Sequence, residues 1–115
     1  MTDQEIFDKV ITHLRKQGKA SQNGDGCWYR TTDGKSCAVG CLIQDSDYNG
    51  SMEGMRLHGL LGKFPNNPSL MKMVEHTDLL ERLQHIHDTY DTDRWEDEWE
   101  FVAQYMHLTV PPKDA

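Results

Sequence analysis

The sequence predicts an α+β fold: one mostly helical domain with a single central β-hairpin, at about residues 27–31 and 35–39, packed on its helices. Three observations lead there. Apolar residues recur at helical spacing near the N-terminus and through the second half, the pattern of amphipathic helices. Between them, Cys27-Trp28-Tyr29-Arg30-Thr31 and the run from Lys35 to Val39 flank Asp33-Gly34, a pair that tolerates the positive φ of a two-residue hairpin turn. At 115 residues the chain can sustain one core and not two. Residues 1–115 are therefore read as one compact domain, with 109–115 an irregular tail.

The first helix is expected at about 3–17. Thr2-Asp3-Gln4-Glu5 forms a capping box, and Ile6, Phe7, Val10, Ile11 and Leu14 make one apolar stripe. Gly18 ends the helix in a left-handed conformation. Residues 19–26, rich in Ser, Asn, Gly and Asp, read as a loop. The hairpin follows, interrupted by Gly40. Two strands alone are marginal in water, so the hairpin must pack on helices, and helix one is the expected support. Met55, Leu57, Leu60 and Leu61 suggest a short helix broken at Gly59 or Gly62. Asn67 caps the next helix, with Pro68 at its first position. Thr77-Asp78 caps a longer one carrying Leu79, Leu80, Leu83, Ile86 and Tyr90. Thr92-Asp93 opens the last, with Trp95, Trp99, Val102 and Met106 on one face, and Pro111-Pro112 ends regular structure. The last two helices, joined by a residue or two, should form a hairpin or sharp corner.

Twelve basic against nineteen acidic residues leave a net charge of -7. Nucleic acid is excluded as a partner on that balance, because phosphate binding needs clustered Lys and Arg. No apolar run approaches the roughly 20 residues of a membrane helix, and no secretory signal is visible. Three cysteines, an odd count, and six methionines suit a reducing cytoplasm. No cofactor motif is read, and nothing indicates an oligomeric state.

The chemistry-bearing side chains concentrate in residues 27–53. Asp45-Ser46-Asp47-Tyr48-Asn49-Gly50 matches the first half of an EF-hand calcium loop, and Glu53 falls at its ninth position. The twelfth position is Arg56, where a bidentate Glu is required. Asp45, Asp47, Asn49 and Glu53 are thus weak cation candidates, set against a plain turn held by Asp and Asn side chains. Cys27, Cys37 and Cys41 lack zinc-knuckle spacing and read as small buried thiols, with a thiol switch at Cys37 and Cys41 as a lesser reading. His85 and His87 flank Ile86 and point apart on a helix, so they cannot chelate one ion together. Around the hairpin, Arg30 near aromatics could clamp an anion; pairing with Asp45 or Asp47 is preferred. Strand alternation sets Tyr29 and Thr31 opposite Trp28 and Arg30.

Cys27-Trp28-Tyr29-Arg30, Asp33-Gly34, Cys37-Ala38-Val39-Gly40, Leu42-Ile43, Asp45, Tyr48 and Met52-Glu53-Gly54 resemble a pattern in small uncharacterised bacterial and phage proteins. That pattern runs C-x-Y-R-x-x-D-G-x-x-C-A-x-G-x-L-I-x-D-x-x-Y, followed by E-G. Phe7 to Leu14 and Leu83 to Asp88 fit it too. The resemblance carries no catalytic residue, and implies a compact cytoplasmic protein of a bacterium or its virus.

The expected function is a small, acidic, non-catalytic binding or regulatory protein. Its contacts would be Tyr29, Arg30, Asp33, Asp45, Tyr48 and Glu53, on the hairpin and the 45–53 loop. Its partner would be a host or cellular protein or a small charged metabolite. The alternative is a Mg- or Ca-dependent small hydrolase, or a calcium-binding protein, using Asp45, Asp47 and Glu53, with His58 nearby.

Overall fold

A computed structural model describes residues 1–23 and 26–113. Helix α1 (Asp3–Gln17) begins and ends where its caps dictate. The Thr2 hydroxyl accepts the Glu5 amide at 3.1 Å, and the Glu5 carboxylate accepts the Thr2 amide at 2.8 Å. Gly18, at φ 70°, turns left-handed and returns its N–H to the Leu14 carbonyl. All five residues of the expected stripe, Ile6, Phe7, Val10, Ile11 and Leu14, are buried.

The central β-hairpin is not present, and the α+β expectation is corrected to a helical domain. Among the described residues, extended pairing amounts to Gln22–Asn23 against Gly26–Cys27 and one isolated bridge between Arg30 and Ser36. Part of that pairing falls inside the stretch read as a loop. Asp33-Gly34 does turn the chain, with the Thr31 amide donating to the Lys35 carbonyl at 2.9 Å. Yet no ladder grows from it, for two physical reasons. The amides of Tyr29 and Arg30 donate to the Glu53 carboxylate, so a side chain takes donors that a strand would use. After Cys37 the backbone winds up: the Cys41 amide bonds the Cys37 carbonyl at 3.0 Å, and Gly40–Leu42 is a tight helical turn. The side-chain alternation survives without the strand, since Tyr29 and Thr31 are buried while Trp28 and Arg30 are half-exposed.

This segment does rest on α1, as expected. The Ser36 amide donates to Gln17 Oε1 at 2.9 Å, and the Ser36 carbonyl accepts from Gln17 Nε2 at 2.9 Å. Two further tight turns, Asp45–Asp47 and Gly50–Met52, carry the chain to α2 (Leu57–Lys63). That helix runs through Gly59 and Gly62, one or the other of which was expected to break it. Each glycine costs about 1 kcal/mol against Ala, but burying Leu57 and Leu60 returns about 2 kcal/mol apiece.

Helix α3 (Pro68–Met71) starts as expected, with Asn67 Oδ1 accepting the Leu70 amide at 3.2 Å. Helix α4 (Thr77–Thr89) has no side-chain cap at Thr77-Asp78. A tight turn at Val74–His76 leads straight into it, so Thr77 is already helical. Helix α5 (Thr92–Met106) follows after Tyr90 and Asp91 and packs back on α4. Leu79, Leu80, Leu83 and Ile86 from α4 meet Trp95, Trp99 and Val102 from α5 in one core with the α1 stripe, Met52 and Leu60. Beyond α5 the chain runs along α1: the Thr109 amide donates to Gln4 Oε1 at 2.9 Å, and Arg15 Nη1 donates to the Pro111 carbonyl at 2.8 Å. No helix is long and apolar enough to cross a membrane.

Candidate functional site

Glu53 is the hub of the expected contact residues. Its Oε1 accepts the Tyr29 amide at 2.8 Å, and its Oε2 accepts the Arg30 amide at 3.1 Å and the Tyr48 hydroxyl at 2.6 Å. Burial, and then this bond to Glu53, push the Tyr48 phenol up to about 12. Arg30 lies over the Tyr48 ring, 4.9 Å from its centroid, and reaches Asp45 Oδ1 at 2.6 Å and the Ile43 carbonyl. The Tyr29 hydroxyl donates to the Met55 carbonyl. Behind them Gly40 packs so close to Tyr29 that a Cβ would stand 2.0 Å from the Tyr29 carbonyl oxygen. Tyr29, Arg30, Asp45, Tyr48 and Glu53 are thus brought together, and they bond one another and the carbonyls of Ile43 and Met55. Asp33 stands apart, bonded to the Thr31 hydroxyl and to Lys35 Nζ. Those contacts, Lys35 foremost, hold its carboxyl down to about 2.

The residues that matched half a calcium loop disperse. Asp45 faces Arg30. Asp47 Oδ2 accepts the Ser69 hydroxyl at 2.6 Å. Asn49 Oδ1 accepts the Ser51 amide at 2.9 Å, and Glu53 serves two backbone amides. Among the described residues, the only three metal-ligating side chains whose donor atoms all lie within 4.8 Å of one another are Cys27, His87 and Asp88.

Cys27 and Asp88 of that trio line a different place, an open cleft of about 660 Å³, while His87 is buried behind Asp88. One wall is the 54–58 segment, with Arg56 and His58. The facing wall is α4, with Glu81, Gln84, His85 and Asp88, and Cys27 and Tyr29 close the floor. A chain of hydrogen bonds ties it together. The Ser21 amide donates to His87 Nε2 at 2.8 Å. That contact leaves the ring proton on Nδ1, which donates to Asp88 Oδ1 at 2.8 Å. Gln84 Nε2 donates to the same oxygen at 2.8 Å, and Gln84 Oε1 accepts the Val39 amide at 3.0 Å. Burial alone would raise the Asp88 carboxyl; the bonds from His87 and Gln84 outweigh it and hold the carboxyl below its ordinary value. The His87 ring is buried and stacks on Trp95 at 5.7 Å.

This geometry limits the chemistry. Burial, then the charge of Asp88, push the Cys27 thiol up, and nucleophilic cysteines need the reverse. Cys37 is raised by burial too, and burial takes Cys41 up to about 12. All three are free thiols. A metal on His87 Nδ1 would displace its proton to Nε2 and set it against the Ser21 N–H, so the trio suits a hydrogen-bond network better than a cation.

Sequence reasoning missed the cleft. Its signal was present: Glu81, Gln84, His85 and Asp88 form a polar stripe at i, i+3, i+4, i+7, opposite the leucine stripe of α4. What the stripe faces depends on how residues 27–29 and 54–58 fold over it. Compared with protein-family models, curated proteins and solved structures, the chain matches none. Neither a bacterial or phage origin nor a regulatory role finds support there.

Proposed function

We propose that this chain is a small, non-catalytic binding domain whose cleft takes a small zwitterionic metabolite. The observation that carries this reading is the segregation of charge across the cleft. Arg56 and His58 stand on one wall, and Glu81 and Asp88 on the other. The side chains of Arg56 and Glu81 make no hydrogen bond or ion pair with the described residues, so their charges are available to a ligand, and the His58 ring has no hydrogen-bond partner among them either. A volume of about 660 Å³ lies within the range of metabolite sites. Tyr29 contributes directly to the floor; Arg30, Asp45, Tyr48 and Glu53 act as the frame that holds Tyr29 and the 54–58 wall. The raised thiols support a non-catalytic reading, the three free cysteines favour the cytoplasm, and the net charge of -7 argues against nucleic acid.

Calorimetry with a panel of free amino acids and dipeptides tests this. At least one should bind, and Arg56→Ala and Glu81→Ala should each weaken it by about tenfold, the loss of one charge-assisted contact. No binding by any of them, or affinity unchanged in both variants, would overturn the reading.

A further inference from the structure

Between α4 and α5 runs a second groove of about 510 Å³, which borders the first along Glu81 and His85. Its floor is apolar: Ile86 and Val102 lie at the bottom, with Tyr90, Phe101 and Tyr105 along it. Phe101 and Tyr105 are each 64% exposed. They sit one turn apart on α5, and exposing two large aromatic rings side by side is costly unless something covers them. The rim is acidic. Asp78, Glu81 and Glu98 line it; Glu98 is paired with Arg94 at 3.7 Å and Asp78 with Arg82, which leaves Glu81 without a charged partner among the described residues. Arg82 is already engaged, bonded to Asp78 at 2.8 Å and lying 4.1 Å over the Tyr105 ring.

We infer that this groove docks a basic amphipathic helix of a partner protein. Two adjacent helices of 13 and 15 residues present a trough into which a third helix lays its apolar stripe. Lysines or arginines flanking that stripe would meet Glu81, which is exposed at the rim. A second copy of this chain is disfavoured as the occupant, because it would bring the same acidic rim and a net charge of -7 against its like. Glu81 lines both this groove and the zwitterion cleft, whereas Phe101 and Tyr105 line the groove alone, so substitutions at these two rings test the inference separately from the cleft.

The probe is a labelled peptide of about 18 residues, long enough to hold a helix once docked, with a leucine stripe and lysines elsewhere. A control peptide carries glutamate in place of lysine. Anisotropy with the full chain should show saturable binding of the lysine peptide and none of the glutamate peptide. The exposed substitutions Phe101→Ala and Tyr105→Ala, checked for folding by circular dichroism, should together weaken binding by about tenfold or more. Glu81→Gln should weaken it less and flatten its salt dependence. Failure of the lysine peptide to bind, equal binding of both peptides, or affinity unchanged in the Phe101→Ala/Tyr105→Ala variant would each overturn the proposal. So would sedimentation showing a wild-type dimer that Phe101→Ala dissolves, which would make the face a self-contact.

Discussion

Glu53 does work that no other side chain in the 27–56 stretch can replace. Two backbone amides and a phenol converge on its carboxylate, and a half-buried acceptor of three donors is unforgiving of substitution. Glu53→Gln keeps the shape but places an NH₂ among donors. It should cost about 2 kcal/mol in urea unfolding, whereas Asp45→Asn, at a 96% exposed carboxylate, should cost under about 0.5 kcal/mol. Gly40 is as constrained for a steric reason. Gly40→Ala drives a methyl into the Tyr29 carbonyl and should cost about 3 kcal/mol by the same measurement. The sequence showed Glu53 only as a loop carboxylate near Asp45. Its partners are amides 23 and 24 residues away, and no local pattern announces such a bond.

The helices were legible because each carries its own periodicity and, at α1 and α3, its own cap. The hairpin was misread because strand propensity and a good turn are local signals, while a ladder needs both sets of backbone donors. Here Glu53 and the helical turn after Cys37 claim them. The break expected at Gly59 or Gly62 failed for the converse reason, with packing of Leu57 and Leu60 overriding local propensity. At this scale α1 and α5 are joined by a two-pronged ion pair: Arg15 Nε and Nη2 donate to the two Glu96 oxygens at 2.8 and 2.7 Å. Arg15 holds the Glu96 carboxyl below its ordinary value. A carboxyl lowered in the folded state stabilises above its unfolded pKa, about 4.3, and that contribution is lost as pH falls through the lowered value. The pair is partly exposed, so screening limits it to about 1 kcal/mol. Melting temperature followed from pH 7 downward should therefore fall less steeply below about pH 4 in Glu96→Gln than in the wild type. Parallel curves would show that the pair contributes nothing.

In the whole molecule, α4 is the shared wall. One stripe faces the core with α1 and α5, the polar stripe faces the cleft, and its outer flank joins α5 in the acidic groove. His87 fastens this helix to the Ser21 loop, and Gln84 fastens it to Val39. Ser21 and the segment around Val39 therefore hang from α4, as Ser36 does from α1. This arrangement ties Tyr29, Arg30, Tyr48 and Glu53 to one another and to nearby backbone, and leaves Arg56 and Glu81 at the cleft without a charged partner among the described residues. The most direct measurement is the map of amide shifts in ¹⁵N–¹H spectra as the zwitterion panel is titrated in. Shifts should concentrate at Met55, Arg56, Leu57 and His58 and at Glu81, Gln84, His85 and Asp88. Shifts confined to Thr32–Lys35 and Asp45–Gly50, with the α4 wall silent, would contradict the account.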